Sequence, residues 1–130
     1  MRLALHAMLV RDYDEAIDFF VDRLGFTLTA NTDQGGGKRW VVVTPGPTGA
    51  GLLLAKAVGP DETARIGDPM GGRVALFLET DDFDAQHARM LAAGVKFLEA
   101  PRHEPYGVVA VFEDLYGVRW DLIEPREALD

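Results

Sequence analysis

Residues 10–26 read VRDYDEAIDFFVDRLGF, and residues 80–95 read TDDFDAQHARMLAAGV. The two stretches share a plan. An apolar run precedes each. An acidic-aromatic-acidic triplet follows, Asp12-Tyr13-Asp14 in one and Asp82-Phe83-Asp84 in the other, and a glycine closes it, Gly25 or Gly94. Asp12 can cap a helix, with Glu15 three residues on. Apolar side chains at Tyr13, Ala16, Ile17, Phe20 and Leu24 make one helical stripe. Gly25 suits the left-handed position that ends a helix. A duplicated segment of this kind marks two copies of one structural unit.

Outward from these helices the strands fall in the same order. The first copy opens with a strand over Leu3–Val10. After its helix come three runs, Phe26–Ala30, the valine-rich Arg39–Thr44 and Leu52–Ala57. Gly35-Gly36-Gly37-Lys38 precedes a strand rather than a helix, so it reads as a turn and not a phosphate loop. The second copy has a strand over Val74–Thr80, a helix over about Phe83–Ala93, and strands over Val95–Glu99, Val108–Phe112 and Val118–Ile123. Asp114-Leu115-Tyr116-Gly117 makes the last tight turn. Module one is residues 1–57, a glycine- and proline-bearing linker is 58–72, module two is 73–124, and a short tail is 125–130. Within the linker, Asp61–Arg65 can form a helical turn.

One such unit cannot bury both faces of its sheet. The pattern therefore predicts a single α+β domain. Two βαβββ modules form a curved, mostly antiparallel eight-stranded sheet around a cavity, with helices outside. Such a cavity is the default ligand site.

Composition narrows the function. The 130 residues include no cysteine, which excludes disulfides and thiolate metal sites and is compatible with a cytoplasmic home. The net charge is −8, and no basic stripe offsets it, so nucleic acid is not expected as a partner. The apolar start, Met1–Val10, is short, is interrupted by His6, and does not read as a signal peptide. No apolar run approaches the roughly 20 residues of a membrane span.

The stretch Val10–Phe20 with Leu24-Gly25-Phe26 resembles the opening of vicinal-oxygen-chelate proteins, the glyoxalase, bleomycin-resistance and extradiol-dioxygenase group. Thr80–Ala85 with Ala92-Ala93-Gly94-Val95 resembles it again, and Phe112–Leu122 looks like the family's closing hairpin. The resemblance covers nearly the whole chain. It implies paired βαβββ modules, a homodimer, and a small-molecule site in each cavity. In metal-dependent members it also implies a divalent ion held by His, Gln or Glu from the first and last strands of the modules.

Carried over residue by residue, the resemblance leaves that ion poorly provided for. The closing carboxylate, four residues after Gly117, is Asp121. The first-strand position, counted back from Val10, is Leu5. His6 is one residue off, on the helix side with Met8 and Val10. The second-module position is Ala75, or Arg73 or Val74 with one gap. The fourth lies in Leu52-Leu53-Leu54. No metal cofactor is therefore expected. The alternative, with Zn, Ni, Fe or Mn, needs a bulge that turns His6 inward beside Asp121, with Glu79 or His103 as further ligands.

Strand alternation nominates what lines the cavity. With Asp121 pointing in, Arg119 and Ile123 follow, while Trp120 and Leu122 pack beneath a helix. Across the hairpin, Phe112 is expected opposite Arg119, and Ala110 opposite Asp121. On the preceding strand Ala75, Phe77 and Glu79 share the inner face, with Val74, Leu76 and Leu78 toward the core. Phe77, Glu79, Phe112, Arg119 and Asp121 thus form an aromatic site with a few charges. Arg119 and Asp121 can equally pair with each other or with Glu79. Trp40 is a stacking wall or core, and Tyr106 sits in a loop that can close the mouth. His103 is a solvated loop residue, and His87 covers core or meets water. These residues indicate a bleomycin-resistance-like protein that sequesters a small, partly aromatic, cationic molecule without a metal. The competing reading is a metal-dependent lyase, isomerase or dioxygenase. Metal-free acid-base chemistry by Glu79 or Asp121 stands third.

Overall fold

Asp12 does cap the first helix: its carboxylate accepts the Glu15 backbone N–H at 2.9 Å. The computed structural model describes residues 1–126. They fall into two units, Met1–Gly67 and one beginning at Asp68. The tail expected over 125–130 lies mostly outside the described residues. None of the described helices is long and apolar enough to cross a membrane.

The first unit contains β1 (Leu5–Val10), α1 (Tyr13–Ile17), β2 (Thr27–Asp33), β3 (Arg39–Thr44), β4 (Gly51–Lys56) and α2 (Gly59–Ala64). Its sheet has the order β1-β4-β3-β2, with β1 and β4 parallel and the other pairs antiparallel. α1 packs against β3 and β4. Beneath it Met8, Val10, Val41, Val43, Leu52 and Leu54 are buried. Arg39 fastens β3 to α1: its guanidinium lies 5.1 Å from the Tyr13 ring centre and pairs with Asp14 at 3.0 Å.

The helical stripe differs from expectation in one place. From Asp18 to Arg23 the helix widens into a π-helix, and the Leu24 N–H donates to Phe19, five residues back, at 3.1 Å. The wider turn brings Phe19 and Phe20 inward together, in edge contact at 5.3 Å, and leaves Ile17 half-buried. Gly25, with φ of 81°, ends the segment as expected.

The second unit contains β5 (Val74–Glu79), α3 (Phe83–Ala92), β6 (Lys96–Phe97), β7 (Arg102–Glu104), β8 (Gly107–Glu113) and β9 (Arg119–Pro125). The order is β5-β9-β8-β6, with β7 also on β8, and β5 and β9 are parallel. Asp82 caps α3 through Ala85, and Glu124 on β9 accepts the Phe83 N–H at 2.8 Å, pinning the helix start to the sheet. α3 packs on β9, over Trp120 and Leu122.

The α+β architecture of two repeated units matches the reading of the sequence, with nine strands in two sheets. The ninth is β7. The run expected over Val95–Glu99 shortens because the Glu99 carboxylate takes the Val111 N–H at 2.9 Å, a donor that a longer strand would use. Pro101 then adds no N–H of its own.

Candidate functional site

In the second unit, alternation buries Trp120 and Leu122 beneath α3 and turns Asp121 to the opposite face. Asp121 stands between Phe77 of β5 and Val111 of β8 in one cross-strand row. Phe77 is 68% exposed. Asp121 is half-buried, and its Oδ1 is fully enclosed with no hydrogen-bond partner among the described residues. Burial pushes its carboxyl above the ordinary aspartate range, Arg102 pulls it back, and Glu99 pushes it further up.

Arg102 sits between two carboxylates, 2.8 Å from Glu99 and 2.9 Å from Glu104. Those contacts raise the guanidinium pKa still further, with Glu99 the larger influence. Arg102 in turn lowers Glu99, against a smaller opposing effect of burial. This cluster was absent from the sequence reading. Its signal was the alternation Arg102-His103-Glu104 beyond Pro101, which is a short strand rather than a loop. His103 is exposed and pairs with Val108, on the face opposite Arg102 and Glu104.

Phe112 does not join this face. It pairs with Trp120 rather than Arg119, is 0% exposed, and stacks on the Trp120 ring at 5.7 Å. Likewise Ala110 pairs with Leu122, and Val111 takes the place opposite Asp121. The turn explains the slip. The Asp114 N–H donates to Val118 at 3.0 Å, so the loop takes in Val118 and the ladder shifts by one residue. His87 lies among core aromatics, stacked on Phe83 at 5.4 Å and edge-on to Phe97 at 4.5 Å.

The other nominated residues are placed as follows. Glu79 is exposed on the Asp121 face, opposite Ile123, and Arg119 is exposed opposite Glu113. Among the described residues no ion pair joins Arg119 to Asp121 or Glu79. Tyr106 is exposed in the turn between β7 and β8, and its carbonyl accepts the Arg126 N–H at 2.8 Å. In the first unit Trp40 is 40% exposed and shares the face of Val42 and Leu53, away from α1. It is not core.

The model of the glyoxalase/bleomycin resistance protein/dioxygenase superfamily matches residues 2–122. The chain belongs to this superfamily. An uncharacterized protein of Shewanella frigidimarina (strain NCIMB 400) is 53% identical over 120 residues, covering 91% of this chain and 89% of its own. Two crystal structures superpose closely. UcmS2 has a TM-score of 0.82 at 29% identity, covering 95% of this chain and 97% of its own. TnmS3, described as an antibiotic binding protein from Streptomyces sp. CB03234, has a TM-score of 0.80 at 32% identity, covering 97% of each chain.

Metal-dependent members of the superfamily set the test for an ion. At the positions that the resemblance assigns to ligands stand Leu5, Leu52–Leu54, Ala75 and Asp121, and of these only the Asp121 side chain offers an oxygen. β1 pairs with β4 in unbroken register, so no bulge turns His6. It stays on the side of Met8 and Val10, exposed at the strand's start. The bulge that does occur, between Val74 and Leu76, displaces an alanine. Among the described residues no three His, Asp or Glu side chains gather as a metal-holding group. The donors present do not fit a superfamily metal centre.

Proposed function

We propose that this protein binds a small, partly aromatic molecule on the sheet faces turned away from its helices, without a catalytic metal. The observation that carries this reading is the exposed placement of Phe77 and Trp40 on those faces. An aromatic ring left in water on a sheet face is a surface for another planar group. The antibiotic-binding role of TnmS3 supports the same reading. The homodimer expected from the family belongs to this proposal, and light scattering of the purified chain checks it.

Titrating a panel of planar aromatic compounds while following tryptophan fluorescence tests the proposal. Trp120 is buried and Trp40 is exposed, so ligand contact is read chiefly through Trp40. Saturable quenching in the micromolar range, lost in Trp40→Phe, is expected. Absence of binding across the panel at high micromolar concentration overturns it.

A further inference from the structure

Asp121 presents an unusual combination. Its Oδ1 is enclosed yet unpartnered, and buried carboxylate oxygens ordinarily find a donor. The cation closest in influence, Arg102, is already held by Glu99 and Glu104 and makes no bond to Asp121. Arg119, next but one along β9, points to the same face and forms no ion pair with it. Beside the orphan oxygen, one strand away, stands the exposed ring of Phe77. Adjacent strands lie about 4.8 Å apart. A ligand whose ring covers Phe77 therefore reaches the carboxylate's other oxygen, Oδ2, which is not enclosed, with a donor one or two bonds from that ring.

We infer that Asp121 is the specificity-determining residue of the ligand face, and that it selects aromatic ligands carrying a protonated amine on a short arm. The ammonium donates to Oδ2 while the ring lies on Phe77. This rests on the proposed aromatic-binding role and adds to it the ligand's charge. An ammonium fits better than a neutral hydroxyl because it offsets the charge of a half-buried carboxylate that has no ion-pair partner among the described residues. An anionic ligand is disfavoured at the same place. Glu79, also on this face, adds to that preference.

Three probes of one shape separate the contributions: 1-naphthylmethylamine, 1-naphthylmethanol and 1-naphthoate, titrated by calorimetry against the wild-type protein, Asp121→Asn and Phe77→Ala. The wild type is expected to bind the amine on the order of 10-fold more tightly than the alcohol, with the carboxylate weakest. Asp121→Asn should bring amine and alcohol within about twofold while keeping the alcohol's affinity, which shows that the face is intact. Phe77→Ala should weaken amine and alcohol alike. Equal wild-type affinity for amine and alcohol overturns this inference alone, as does an amine preference that survives in Asp121→Asn. Failure of all three probes to bind overturns the aromatic-binding reading and this inference with it.

Discussion

The indole N–H of Trp120 donates to the Asp114 carboxylate at 3.0 Å, from six residues further along the chain. The same carboxylate accepts the backbone N–H groups of Tyr116 and Val118 at 2.9 and 3.0 Å. One buried side chain thereby closes the β8–β9 turn and anchors the central tryptophan. Burial pushes its carboxyl upward, and the three donors only partly offset this. Asp114→Ala leaves buried donors without an acceptor. It should cost roughly 2–3 kcal/mol and lower the thermal midpoint by on the order of 10 °C. Thermal melts followed by tryptophan fluorescence check this, and an unchanged midpoint contradicts the anchoring role.

Asp121 makes a pH-dependent contribution of opposite sense to that of Glu99. Its pKa is raised in the folded state, so the fold holds that proton more tightly than the unfolded chain does. The contribution is fully present below the ordinary aspartate value of 3.8 and is lost as pH rises through the folded value. Asp121→Asn should therefore be more stable than wild type at pH 7, with the gain vanishing as pH falls toward about 4. Glu99, lowered chiefly by Arg102, behaves inversely. Glu99→Gln should be less stable than wild type at pH 7, and the difference should close below the ordinary glutamate value of 4.5. Thermal melts of both variants from pH 3.5 to 8 read the two slopes.

Gly107, with φ of 150°, lies against the backbone of Glu124 and Pro125. A Cβ there would sit 3.1 Å from the Pro125 Cα and press on the Glu124 carbonyl. These are backbone atoms of the paired strand and cannot yield as a flexible side chain would. Gly107→Ala should cost roughly 3 kcal/mol or more and open the end of the β8–β9 ladder. Gly36, with φ of 65° and nothing within 4 Å, pays only the left-handed conformation. Gly36→Ala should cost roughly 1 kcal/mol. Hydrogen exchange at Val108 and Val109 distinguishes local opening from a general loss of stability.

His6 tests the metal question directly. It is exposed, on the helix side of a strand in unbroken register. His6→Ala should shift stability by less than about 0.5 kcal/mol. It should leave the metal content of the purified protein, measured by plasma mass spectrometry, unchanged. Stoichiometric Zn, Ni, Fe or Mn that disappears in the variant contradicts the metal-free proposal and favours an enzyme.

The parts legible in the sequence are those governed by local chemistry. Asp12 and Asp82 cap, Gly25 and Gly94 terminate, and Val41, Val43, Trp120 and Leu122 bury as alternation and capping demand. Phe77 and Asp121 share a face because period-two alternation holds from Leu76 onward, although the bulge at Ala75 puts Val74, expected on the core face, opposite Arg119. The Phe112 error came from a loop one residue longer than its turn residues suggested, and that length depends on an Asp114–Val118 hydrogen bond. The Glu99–Arg102–Glu104 cluster was missed because Glu99 bonds a strand residue, Val111, twelve positions away. Sequence spacing carries no trace of such a partner.

The two phenylalanines that strand alternation assigns to one face, Phe77 and Phe112, offer the sharpest contrast. Phe112 is sealed between Phe97 at 5.6 Å and Trp120 at 5.7 Å. Phe112→Ala leaves a cavity in a packed aromatic row and should cost roughly 3–5 kcal/mol. Phe77 packs little, so Phe77→Ala should lie within about 0.5 kcal/mol of wild type in stability. The ligand-binding effects should reverse: Phe77→Ala loses affinity for naphthyl probes, while Phe112 contributes only through the fold. A conservative Phe112→Leu variant, which keeps most of the volume, should therefore bind these probes as wild type does. Paired melts and titrations check both halves, and a binding defect in folded Phe112→Leu would restore the register expected from the sequence.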